Sequence, residues 1–91
     1  MPKPSNSNSR LDGPDPDDIV AVFGINLKAA RLKAGLTQVE LAERAGLLQQ
    51  YVSLVETGKQ NITLTTAQAL ARVVEQTVSE LLLFRPACRR R

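Results

Sequence analysis

The apolar positions between Thr37 and Gly58 fall into two short helical registers separated by a turn. In TQVELAERAG, Leu41, Ala42 and Ala45 recur at helical spacing and define one inward face. Thr37 followed three residues later by Glu40 predicts a capping box. The hydroxyl accepts from an orphan amide, and the carboxylate reaches back to the cap. Gly46 stands where a left-handed residue ends a helix. After Leu47 and Leu48, a second register runs from Gln49 to Thr57, with Val52 and Val55 inward and Gly58 at its end.

The flanking pattern is also helical. Upstream, VAVFGINLKAARLKA places Phe23, Leu27 and Ala30 three or four residues apart, and Ile19 and Val20 extend that core stripe. The run Asp15-Pro16-Asp17-Asp18 reads as the helix start. Asp15 is the expected cap, Pro16 suits the first position, and the next acids favour the positive end of the dipole. Gly24 inside this helix costs up to ~1 kcal/mol against Ala, which predicts close approach of another helix. Gly35 ends it.

Downstream, Lys59 to Ile62 is a polar loop, and Thr63 caps a fourth helix. Its stripe is Leu64, Ala67, Leu70, Ala71 and Val74, closed by Glu75 and Gln76. Thr77 and Glu80 form a second capping box. It opens a short fifth helix with Val78, Leu81 and Leu82 inward, stopped by Pro86. Leu83 and Phe84 carry apolar surface beyond one face. Nowhere does a sustained period-two alternation appear between turn residues. The expected fold class is all-α.

A chain of 91 residues suits one small domain with a limited core. Aromatics are only 3%, so that core must be built from Leu, Val, Ile and Ala. The start, MPKPSNSNSRLDG, has too little apolar surface to offset the entropy of ordering. Residues 1–14 are therefore expected as a disordered arm, residues 15–84 as the domain and residues 85–91 as a basic tail. The net charge of +3 divides as −2 over residues 1–18, +1 over 19–84 and +4 over 85–91. A nearly neutral domain permits a polyanionic partner without arguing for one. The arginine tail suits either a solvated end or a flexible phosphate-contacting arm.

Several classes are disfavoured. Histidine is absent, which removes the commonest general base and metal ligand. Cys88 is the single cysteine and gives no disulfide or metal signature. There is no Gly-rich phosphate loop, and Ser53 has no base to activate it. An enzyme, a bound metal and a cofactor are not expected. No run approaches the roughly 20 apolar residues that span a bilayer, and the N-terminus lacks a secretory apolar core. A cytoplasmic, nucleoid-associated protein without membrane contact is the expectation.

Two short helices joined by a glycine-containing turn make a helix-turn-helix, whose second helix fits a DNA major groove. Five fragments in order sharpen this. They are GLTQVELAERAG at 35–46, Tyr51-Val52-Ser53, Val55-Glu56-Thr57-Gly58-Lys59, LTTAQALARVV and TVSELL. Over Leu27 to Leu82 the chain resembles the Cro/CI-type (XRE) helix-turn-helix family of bacterial and phage regulators. The resemblance implies a five-helix, lambda-repressor-like DNA-binding bundle with the motif at helices 2 and 3. It further implies operator binding as a homodimer and no small-molecule ligand domain.

The resemblance also implies residue roles. Gln38 matches a glutamine that contacts phosphate and supports the recognition helix, at a helix end suited to anions. Thr37 beside it joins the DNA-contacting set. Gln49 and Gln50 match the first exposed positions of the recognition helix, and glutamine bonds adenine at N6 and N7. Tyr51 and Ser53 match positions that touch backbone or base edges. Lys59 and Asn61 match a loop that lies along phosphates. Arg31 and Glu56 match a partly buried ion pair between helices one and three.

Two residues depart from the family pattern. Leu48 stands where a capping Ser or Thr is usual, a loss of about 1 kcal/mol; it packs or touches a thymine methyl. Leu54 is apolar where many members carry a polar reader. Leu81, Leu83 and Phe84 are the expected isologous dimer interface. The implied function is sequence-specific transcriptional regulation on double-stranded operator DNA. A restriction–modification controller, suggested by QNITLTTAQALARVV, and an antitoxin-type autoregulator are alternatives within that class. A helical protein–protein module is the alternative outside it.

Overall fold

The structure, a computed structural model, describes residues 18–83. Among them lie five helices and no strand: α1 (Ile19–Lys33), α2 (Gln38–Ala45), α3 (Gln49–Glu56), α4 (Leu64–Val73) and α5 (Val78–Leu81). The all-α expectation and the order of elements hold.

One core joins all five helices. Phe23 and Leu27 from α1 meet Leu41 and Ala42 from α2, Val52 and Val55 from α3, and Ala67, Leu70 and Ala71 from α4. Val74 and Leu81 close it below. Leu27, Leu41, Val52 and Leu70 have no exposed surface. α3 packs against both α1 and α2, so the core fixes the helix that the motif offers outward.

The stripes need two corrections. Ile19 is 50% exposed and Leu64 is 76% exposed. Each is the first residue of its helix and projects past the packed layer. They flank an open apolar groove of about 310 Å³, which Val20, Phe23, Val78 and Leu82 also line. A third correction concerns the start of α1. Asp18 is its cap and accepts from the Ala21 amide at 3.1 Å. The apolar run begins directly after Asp18, so that carboxylate meets the first orphan amides. Asp15, Pro16 and Asp17 lie outside the described residues, as do the whole arm and the basic tail.

Helix ends follow the sequence closely. Thr37 and Thr77 each form a complete capping box, with Glu40 and Glu80 as the reciprocal partners. Thr63 caps α4 through the Thr66 amide. Four helices then end alike. Behind α2, the Leu47 amide donates to the Ala42 carbonyl at 2.8 Å across Gly46, whose φ is 75°. This is the six-to-one closure of a Schellman turn. The same closure follows α1, α3 and α4. Behind α4 the left-handed position is held by Glu75, with φ 59°.

Gly24 explains how near α3 comes to α1. A Cβ built on it would lie 2.2 Å from the Val55 carbonyl oxygen and 3.0 Å from that of Glu56. The approach is backbone against backbone, so no side-chain rotation could relieve it. The weak helix former in mid-α1 is the condition for seating α3.

Asn26 ties the last helix down. Its amide nitrogen donates to the carbonyls of Leu81 at 2.9 Å and Leu83 at 2.8 Å. The Leu81 carbonyl is one that a helix C-terminus leaves unpaired, and that of Leu83 lies just past the cap. An Asn inside a helix is a poor helix former, and that was the available signal for its role.

Two stability outcomes are expected. Gly24→Ala should lower the melting temperature. Overpacking of about 1–3 kcal/mol outweighs a propensity gain of up to ~1 kcal/mol, and thermal denaturation by circular dichroism checks the sign. Glu75→Gly should raise it, because a left-handed L-residue costs roughly 1–2 kcal/mol. The larger unfolded-state entropy of Gly removes part of that gain.

Candidate nucleic-acid interface

The site is built from the inside outward. Arg31 and Glu56 are both buried, and their side chains are only 8% and 1% exposed. The Arg31 Nε donates to Glu56 Oε2 at 2.6 Å, and a second guanidinium nitrogen donates to Oε1 at 3.1 Å. This is a bidentate fork on a carboxylate. The third nitrogen donates to the Leu36 carbonyl at 2.9 Å, just ahead of α2. One guanidinium thus fastens α1 to α3 and to the start of α2.

Gln38, in the first turn of α2, extends this network. Its Nε2 donates to Glu56 Oε1 at 3.0 Å. Its own Oε1 accepts from Gln49 Nε2 at 3.3 Å. The Gln38 amide is oriented because its nitrogen must face the buried carboxylate, which turns its oxygen toward Gln49. Gln49 keeps its Oε1 and one N–H free at the exposed start of α3.

That start is uncapped by any side chain. Leu48 occupies the cap position with extended backbone (φ −82°, ψ 146°), and its side chain offers no hydrogen bond. Gln49 and Gln50 are exposed beside it. Amides at a helix N-terminus carry positive partial charge and suit an anion such as phosphate. Tyr51, Ser53 and Leu54 are partly buried, and Lys59 and Asn61 stand exposed on the loop after α3. Thr37 is exposed, but its hydroxyl oxygen already accepts from the Glu40 amide at 3.0 Å.

The structure thus brings Gln38, Leu48, Gln49 and Gln50 together around one helix start. It does not gather the three residues expected at a dimer face. Leu81 is 2% exposed and belongs to the core of its own chain, so it leaves that set. A side chain that fills a one-chain core has no surface left for a second chain. Leu83 is 56% exposed, and Phe84 lies outside the described residues. The family resemblance implies phosphate contact and support of the recognition helix for Gln38, and its bonds to Glu56 and Gln49 supply that support.

With this geometry in place, comparison with known proteins gives the family. The HTH_3 helix-turn-helix family model matches residues 27–81. The chain belongs to that family of XRE-type transcriptional regulators. It is similar to a hypothetical transcription factor of Neisseria meningitidis serogroup B, 37% identical over 70 residues. That match spans 77% of this chain and 66% of the relative's length. The crystal structure of hypothetical transcription factor NHTF from Neisseria superposes with a TM-score of 0.73 at 37% identity, covering 77% of this chain and 79% of that one. The restriction–modification controller C.AhdI from Aeromonas hydrophila gives 0.65 at 35% identity, covering 68% of this chain and 94% of that one. The biofilm master regulator SinR, solved in complex with DNA, gives 0.64 at 31% identity, covering 67% of this chain and 98% of that one.

Arg31→Ala should be the most damaging single change in this region. It would leave Glu56 buried and half-satisfied, at a loss of about 3–5 kcal/mol. Urea denaturation should show a correspondingly lower midpoint. A variant melting with the wild type would contradict the structural role of the pair.

Proposed function

We propose that this chain is a sequence-specific regulator that inserts α3 into the major groove of operator DNA as a homodimer. The observation that carries the reading is the bond between Gln38 and Gln49 at the exposed, uncapped start of α3. A glutamine held in one orientation loses less rotamer freedom on meeting adenine, where it pairs with N6 and N7. Gln50 reads beside it, with Tyr51, Ser53 and Leu54 along the same helix. Lys59, Asn61 and the amides ahead of α2 and α3 contact phosphate and fix the register.

Dimerisation rests on separate support. Leu83 is exposed at the end of α5. An apolar surface at that edge suits a two-fold contact with a second copy. Two copies would then place their recognition helices about 34 Å apart, one turn of duplex.

A restriction–modification controller is the second reading within this class. It is favoured by the near-complete coverage of C.AhdI, itself such a controller. A protein–protein module that acts without DNA is disfavoured by the likeness to SinR, which was solved on DNA as well as with the SinI protein.

Selection of bound duplexes from a random pool tests the proposal. An enriched inverted repeat is expected. The Gln49→Ala, Gln50→Ala variant should lose about 1–3 kcal/mol for each bidentate contact removed in a half-site. Affinity should also fall as salt rises, the mark of phosphate contacts. A chain that enriches nothing, or a double variant that selects the same site equally well, would overturn it.

A further inference from the structure

Leu47 and Leu48 are adjacent leucines with opposite fates. Leu47 packs against the core. Leu48 is 76% exposed, level with Leu64 as the most exposed of the large apolar side chains among the described residues. Leu64 at least flanks the apolar groove. Leu48 stands at the cap of α3, next to the exposed Gln49.

This placement disfavours the free protein twice. An apolar side chain is left in water, and a cap hydrogen bond is forgone where α1, α2, α4 and α5 each have one. Neither loss is recovered by a contact within the chain. An apolar group on whatever meets the start of α3 would recover the lost burial. In the major groove that group is the thymine C5-methyl, the one apolar feature among the base edges.

We infer that Leu48 is a specificity-determining residue that selects a thymine by its methyl group, beside the base pair read by Gln49. This rests on the reading that α3 enters the major groove, and it adds a step of a different chemistry. Gln49 recognises by hydrogen bonds, whereas Leu48 recognises by removing apolar surface from water. The half-site should therefore hold a thymine whose methyl, and not its hydrogen-bonding edge, is required.

The test uses duplexes carrying the selected site, with each thymine replaced in turn by deoxyuridine. That change removes the methyl and leaves every hydrogen-bonding group. One position per half-site should weaken binding of the full chain by about four-fold, the value of one buried methyl-sized group. Leu48→Ser should bind the thymine and uracil duplexes equally. Ser restores the missing cap, so this variant should also melt higher than the wild type, which separates lost recognition from lost folding. Leu48→Met keeps an apolar side chain and should keep the discrimination. A site indifferent to every methyl overturns this inference alone, as does a Leu48→Ser protein that still discriminates. A chain that selects no DNA at all overturns the parent reading and this one together.

Discussion

The fold depends on satisfying one buried carboxylate. Glu56 sits at the end of α3 with a side chain 1% exposed, and an uncompensated charge there would be strongly destabilising. Its two oxygens receive three N–H groups, two from Arg31 and one from Gln38. Each donor comes from a different helix than the acceptor. Meeting the needs of that one group therefore sets α1, α2 and α3 relative to one another. Gly24 makes the arrangement sterically possible, because it lets the carbonyls of Val55 and Glu56 lie against α1. The consequence reaches the surface within two hydrogen bonds. Gln38 must turn its nitrogen inward, so its oxygen faces Gln49. The orientation of an exposed side chain is thus inherited from a buried ion pair.

The helix ends divide by purpose. Side-chain caps close the starts of α1, α2, α4 and α5, and left-handed turns close the ends of α1 to α4. Those devices satisfy orphan amides and carbonyls locally. The start of α3 is left without a side-chain cap and holds an exposed leucine instead. Local stability is lower there, and the free donors and apolar surface face outward. Functional sites commonly depart in this way from the local rules that the rest of a chain obeys.

Most of the architecture was legible because its determinants are local. The capping boxes at Thr37 and Thr77 depend on spacing within four residues, and both formed as the sequence implied. Gly24 was legible as a close approach because a glycine inside an otherwise good helix needs a reason. What escaped was relational. Ile19 and Leu64 obey the helical period, but a period does not say how far a neighbouring layer extends. Leu81 reads both as an inward residue of the fifth helix and as part of a partner face, and a helical period alone does not say that its own core uses the whole side chain. The role of Asn26 is not legible locally, since its acceptors lie more than fifty residues away. The bond from Gln38 to Gln49 is likewise set by tertiary packing, and only the resemblance to a known family hinted at it.

Charge gives the last constraint on how such a domain would work. Over residues 18–83 six basic side chains balance six acidic ones, and one of the cations is spent on Glu56 in the interior. Long-range attraction to a polyanion is correspondingly weak for this part of the chain, since steering scales with the summed surface charge. Binding on the proposed reading must come from short-range contacts: helix-end amides on phosphates, and the Leu48, Gln49 and Gln50 edge on bases. Short-range contacts are few on an eight-residue helix, so one copy alone would hold DNA poorly. Joining two copies makes the second engagement intramolecular and multiplies the affinity without adding any contact. On that reading, a neutral domain with an oriented reading edge would gain more from a two-fold partner than a basic one would. It would also discriminate better, because less of its affinity would be available to any duplex regardless of sequence.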